Sequence, residues 1–383
     1  MWEADDSDVR APSLAHLLVR AGKGTDAERV MGLRRLRGHA GAFVLPESPA
    51  VAARSLVAFN RLRPRRVRAV RALTAHGLRI GLRSVLTTPA SVHAGAGTDL
   101  LLEHLASMLH EPGLVVSGSD HGGTGFRTPV LQLFTPDGRP RGYAKIGWDP
   151  VTRGMVDTEA TALDAAIRAQ WSTLRVPRIA WCGRWHDLTI MVTEPMPRHV
   201  RRLTRRELPP IDPLREVAEL WGAVQRNAVS TSDWWNTADA TAAVAAYDGR
   251  PAISAALEEF SRTHADAELN FGAWHGDWVE WNLARFDRHV IAWDWAYAAA
   301  AVPVGFDLLQ FFHLRHHNLG GIPTEAALDL AARDAAPGLN ALGLDPYEQA
   351  AVAWLHRIEV ALRLERARQA RTVGRAAEQG IAS

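Results

Sequence analysis

The run that most restricts what this chain can become is FGAWHGDWVEWNLARFDRHVIAWDW, residues 271–295. Apolar Phe271, Ala273 and Trp274 lead into His275-Gly276-Asp277, and Asn282 follows five residues after Asp277. A short strand-like run, Val290-Ile291-Ala292-Trp293, then ends on Asp294. An aspartate, an asparagine and a second, strand-borne aspartate in this order are the parts of a phosphoryl-transfer loop. One carboxylate orients an attacking hydroxyl, and two oxygen ligands hold a divalent cation against phosphates.

Composition leaves room for that chemistry and removes several alternatives. At 383 residues the chain can bury a large core and fill two or three domains. No apolar run reaches the length of a membrane span, and the acidic start MWEADDSDVR has no signal-peptide pattern. Cys182 is the only cysteine, so neither an intrachain disulfide nor a cysteine-based zinc site can form, which fits the reducing cytoplasm. The net charge of +2 is too mild to demand nucleic acid. Of 44 basic residues only Lys23 and Lys145 are lysine; the other 42 are arginine. A compact ammonium kept in such a chain asks for a reason, because a guanidinium is not its equivalent.

Upstream of the central run, residues 113–147 supply one. Leu114–Val116 reads as a strand, Ser117–Phe126 (SGSDHGGTGF) as a glycine-rich loop, and Pro129–Phe134 as a second strand. Pro136-Asp137-Gly138 is a hairpin signal, and Arg141–Ile146 is a third strand carrying Lys145. Gly118, Gly122 and Gly123 would let backbone N–H groups approach phosphate oxygens. An alanine-rich helix over 157–166 places Glu159 early, where it can pair with Lys145 or simply favour a first helical turn. Val176–Ala180 and Leu188–Val192 close the sheet, and Thr193–Pro197 reads as a proline-stiffened hinge.

The remainder reads as helices: Asp212–Gln225, Pro251–Thr263, Phe306–His317, Glu325–Ala335 behind a Thr324 cap, and Tyr347–Ala370 with a buried stripe. Asp233–Asn236 falls between helices as a polar-aromatic loop. Residues 1–110 carry no assignable motif. A helix from Ser48-Pro49 to about Arg63 breaks at Pro64, resumes and stops at Gly77, and Thr98-Asp99 caps Leu100–Leu109. The arginines Arg65, Arg68 and Arg71 could serve a basic helix for anionic membrane or nucleic acid, but with so mild a net charge they read as the solvated basic face of a packed helix.

With these parts in order, residues 114–312 resemble the aminoglycoside phosphotransferase family, a branch of the protein-kinase-like fold that includes antibiotic, choline, homoserine and sugar kinases. His275-Gly276-Asp277, Asn282, Asp294-Trp295 and Gly305-Phe306-Asp307-Leu308 carry the likeness. It implies an α+β, bilobal protein-kinase-like fold with an antiparallel-sheet N-lobe (111–194), a mainly helical C-lobe (195–383) and an extra N-terminal region (1–110). It also implies a catalytic Asp277 that accepts the acceptor hydroxyl's proton, with Asn282 and Asp294 as ligands of Mg2+. Lys145 and Glu159 would serve the phosphates of ATP or GTP. His275 would brace the loop, and Asp307 would cap the next helix and tie it to the loop. The implied partners are nucleotide and a small hydroxylated acceptor such as an aminoglycoside, sugar or amino alcohol.

Two departures stand out. Trp278-Val279-Glu280-Trp281 replaces the Leu-His-Pro-Gly common between the aspartate and the asparagine, and Ala296 stands where many relatives carry an acid. They support an alternative, a catalytically weak kinase-fold binding or regulatory protein. A protein kinase is disfavoured by HGD in place of HRD and by the lack of an APE-like segment. His313, His316 and His317 have metal-friendly spacing but read as a polar or packed helix face.

Overall fold

In the computed structural model, residues 12–20, 29–37, 43–58, 62–94, 98–119, 128–197, 199–204 and 207–378 are described. They fall into two compact units. One lies within Asp5–Ala160 and Pro177–Arg201, the other within Thr161–Val176 and Arg202–Ser383.

The first unit is built on one antiparallel sheet. Its elements are β1 (Arg29–Leu36), β2 (Phe43–Pro46), α1 (Pro49–Val57), α2 (Arg65–Arg79), β3 (Thr87–Ala94), α3 (Leu101–Met108), β4 (Val115–Ser119), β5 (Val130–Phe134), β6 (Pro140–Gly147), α4 (Pro150–Arg168, of which the part up to Ala160 belongs here), β7 (Ile179–Trp185) and β8 (Leu188–Thr193). The strand order is β7-β8-β6-β5-β4-β2-β1-β3. Residues 1–110 are therefore not an appendage. Three of their strands extend the nucleotide-lobe sheet expected further along the chain, with Phe43 and Val44 of β2 in register with Ser119 and Gly118 of β4. Both faces of β2 are buried, as the alternation of a strand requires. Val44 joins a core with Val116, Leu131, Ile146 and Ile190, whereas Phe43 and Leu45 join α1 and α2 through Ala52, Leu56 and Leu78. β1 hides its strand pattern because Arg34 is buried within it, donating from Nε to Thr87 Oγ1 at 2.9 Å.

Several boundaries differ from expectation, each for a local reason. The helix from Pro49 ends at Val57, and α2 runs through Gly77 to Arg79. Gly77 is helical, and Leu86 packs where its Cβ would be; the left-handed turn comes at Gly81, at φ +91°. Asp99 does not cap α3: it pairs as strand with Arg20, and its carboxylate meets His186 Nε2 at 2.9 Å. Helix α4 begins at Pro150, where Asp149 Oδ1 accepts from the Thr152 N–H at 2.6 Å, so Glu159 lies in its middle and not in its first turn.

The second unit contains α5 (Asp212–Ala218), β9 (Gln225–Ala228), α6 (Asp233–Tyr247), α7 (Ala252–Thr263), β10 (Glu268–Trp274), β11 (Leu283–Phe286), β12 (His289–Ala292), β13 (Ala299–Pro303), α8 (Phe306–Leu314), α9 (Thr324–Ala341) and α10 (Pro346–Glu378). The segment expected as one helix over 212–225 is the shorter α5 followed by strand β9, which pairs with β10. Asp233–Asn236 is not a loop: it opens α6, capped by Ser232, whose Oγ accepts from the Trp235 N–H at 3.2 Å. Helix α8 stops at Leu314 and passes into a π turn over Arg315–Leu319. Thr324 makes no side-chain cap for α9; Pro323 holds that position.

Candidate phosphoryl-transfer loop

In the second unit, β10 delivers the chain to His275 and the β11–β12 hairpin returns it to Asp294. Leu283 is in register with Ala292, and the Trp293 N–H donates to the Asn282 carbonyl at 3.2 Å. That pairing sets Asn282 beside the residue that precedes Asp294. The turn between strand and loop requires Gly276. Its φ is +81°, and a Cβ there would stand 2.2 Å from the Tyr297 carbonyl oxygen.

Several hydrogen bonds fix the loop. The Nδ2 of Asn282 donates to the Asp277 carboxylate at 2.7 Å and to its carbonyl at 3.1 Å. The amide oxygen is thereby the atom left to serve as a ligand. His275 is fully buried; its Nδ1 accepts from the Asp277 N–H at 3.1 Å and its Nε2 meets the Trp293 carbonyl at 3.1 Å. A carbonyl can only accept, so the proton sits on Nε2, and the ring braces the loop with both nitrogens occupied. Asp294 has φ +70°, the left-handed region that a non-glycine residue enters rarely and at a cost, mostly at functional turns.

Asp307 lies in the first turn of α8 and makes no side-chain cap for that helix. Its two oxygens are both spent on the loop: Oδ2 accepts from the His275 N–H at 2.7 Å, Oδ1 from the Gly276 N–H at 2.9 Å. Burial raises its pKa to about 6, against the opposing pull of those two N–H groups and of Arg363.

Other supports lie too far away in sequence to have been foreseen. Arg363 of α10 donates to the Gly276 carbonyl at 2.6 Å, and its guanidinium lies over the Trp274 and Tyr297 rings at 4.4 and 5.1 Å. Glu280 is buried and accepts from Arg315 at 3.0 Å. Trp278 is fully buried, edge-on to His275 at 5.6 Å, so this part of the unusual segment packs the unit. Ala296 is buried as well. Among the described residues the three histidines form no metal-binding cluster, although the His313 and His317 rings stack at 5.9 Å. His316 meets Asp334 at 2.8 Å and His317 meets the Ile322 carbonyl at 2.9 Å, while burial holds His313 down at about 4. Arg363 lies off the apolar stripe of its long helix, and nothing in the sequence singles it out.

In the first unit Lys145 sits mid-strand in β6, between Val130 of β5 and Met191 of β8. Its ammonium donates to the Glu159 carboxylate, and both side chains are largely buried. The macrodipole reading of Glu159 falls away, since that residue is not in a first turn. Gly118 lies within β4, in register with Leu131 and Val44, and not in a loop. Gly122 and Gly123 lie outside the described residues.

The donor set suits a hard divalent cation. Asn282 and Asp294 offer oxygen alone, and among the described residues no group of three or more histidine, cysteine or acidic side chains forms an all-protein metal cage. One or two protein oxygens completed by phosphates and water is how Mg2+ is usually held in such sites.

No family model matches the sequence, and no curated protein matches it. Among solved structures the chain is similar to aminoglycoside phosphotransferase APH(4)-Ia, with 16% identity, 69% of this chain and 98% of that chain covered, and a TM-score of 0.38. It is similar to APH(2")-IIa in complex with gentamicin, with 12% identity, 68% and 94% covered, and a TM-score of 0.39. A third is the amicoumacin kinase hAmiN in complex with AMP-PNP, Ca2+ and Ami, with 13% identity, 68% and 92% covered, and a TM-score of 0.36.

Proposed function

We propose that the chain is a small-molecule kinase that moves the γ-phosphoryl group of ATP or GTP to a hydroxyl of a small acceptor. The observation that carries this reading is the Asp277 carboxylate held by the Asn282 amide on a loop whose two preceding N–H groups are clamped by buried Asp307. Such a loop is pre-organised before any substrate arrives, and positioning supplies most of the catalysis in phosphoryl transfer. Asp277 orients the acceptor hydroxyl and receives its proton as oxygen attacks phosphorus. Asn282 and Asp294 would hold Mg2+, which when bound neutralises phosphate charge. Lys145, steadied by Glu159, serves the nucleotide phosphates. A sugar, an amino alcohol and an aminoglycoside all fit this chemistry.

The deciding experiment is phosphate transfer from Mg-ATP and Mg-GTP to a panel of hydroxylated acceptors. Asp277→Asn is expected to lower kcat by about 100- to 10,000-fold while nucleotide binding persists. Failure of the wild-type chain to bind either nucleotide would overturn the assignment.

A further inference from the structure

Helix α2 inverts the usual arrangement of a packed surface helix. It buries Arg71, whose guanidinium lies 5.1 Å from the centre of the Phe43 ring, together with Ala75, Gly77 and Leu78. Yet Val70, Leu73 and Ile80 are 56%, 72% and 60% exposed. At about 100° per residue Val70 and Leu73 lie about 60° apart on the helix, and Ile80 follows as its C-cap. The chain then turns, and Leu82 and Val85 add 44% and 66% exposed aliphatic side chains. Single exposed aliphatics need no explanation; five within one short continuous stretch form a patch.

The charge around the patch is mainly positive, with the exposed Glu47 carboxylate paired to Arg83 beside Leu82. No aspartate or glutamate occurs between Glu47 and Asp99, an interval that holds nine arginines. Arg65, Arg66 and Arg79 are exposed on the same helix as Val70 and Leu73. We infer that this face docks on an anionic lipid surface, with the aliphatic side chains entering the headgroup–acyl boundary and the guanidinium groups meeting lipid phosphates. Arginine suits that margin because its apolar stem can lie along the boundary while its head stays among the phosphates. Nucleic acid would use the charge but has no use for the aliphatics. Residues 62–86 contain no phenylalanine, tyrosine or tryptophan on which a base could stack, and His76 is their one aromatic ring. Docking of this face does not depend on whether the other unit transfers phosphate.

The test is co-sedimentation of the full chain with vesicles of phosphatidylcholine alone and of phosphatidylcholine mixed equally with phosphatidylglycerol. Binding is expected only to the mixed vesicles and is expected to weaken as salt rises from about 0.1 M to about 0.5 M. Leu73→Asp should weaken partition about tenfold or more, and Arg65→Ala combined with Arg66→Ala about thirtyfold. All three positions are exposed, so the thermal transition should stay in place. The proposal is overturned if wild type ignores anionic vesicles, if it binds neutral vesicles equally, or if Leu73→Asp binds like wild type. Retention on duplex DNA at a salt concentration that releases the vesicles would reassign the face to nucleic acid and overturn it too.

Discussion

At the residue scale, the site depends on which form of Asp307 is present. Only the carboxylate accepts from both His275 and Gly276; a protonated oxygen becomes a donor facing an N–H. With its pKa raised to about 6 from 3.8, the folded chain binds this proton more tightly than the unfolded chain between those two values. The group's contribution to stability is therefore greatest at low pH and is lost as pH rises through about 6. Loop order runs the other way. We expect kcat/KM to fall about tenfold per pH unit below about 6 while the fold persists. Asp307→Asn should flatten that limb and lose about 1–3 kcal/mol, since one buried N–H is left without an acceptor. An unchanged acid limb in this variant would show that another group sets it. The triplet, the asparagine and the strand aspartate were legible because they are local and their residue types are dictated by chemistry. The Asp307 cap was misread because its side chain turns away from its own helix to reach the loop.

At the element scale, α10 is the support that spacing could not show. Its apolar stripe was plain, but Arg363 looks like one arginine among 42 until its guanidinium is seen at the Gly276 carbonyl. Glu359, one turn earlier, also accepts from Trp234 Nε1 at 3.0 Å and from Arg366 at 2.9 Å. Removing Arg363 therefore leaves no orphaned acid. Arg363→Met should cost about 1–3 kcal/mol in urea unfolding, through a lost charge-assisted hydrogen bond and a lost cation–ring contact. It should lower kcat about tenfold, as expected when a positioning contact loosens. A stability loss with unchanged kcat would make Arg363 structural only. Helix α6 was missed because Trp234-Trp235-Asn236 has weak helix propensity, and the cap at Ser232 decides its start.

At the scale of the whole molecule, the sequence reading divided the chain by motif, whereas the structure divides it by hydrogen-bonded sheet. The three added strands were hidden by Arg34, a buried cation that breaks the alternation on which strand recognition depends, and by the shortness of β2. Ligand binding to the native state alone should raise stability by about 2.7 kcal/mol at a ligand concentration about 100 times Kd. Scanning calorimetry with nucleotide and Mg2+ is expected to show that rise, and chelation with EDTA to reduce it. Asn282→Ala should bring the chelated and unchelated traces together. A nucleotide-dependent shift indifferent to EDTA in the wild type would remove the cation from the site. The scarcity of lysine has one more use. With two ε-amino groups in 383 residues besides the α-amine, an amine-acylating reagent has few sites on the chain. Peptide mapping of the Lys145 adduct, with and without nucleotide, turns occupancy of the first unit into a mass measurement that needs no knowledge of the acceptor.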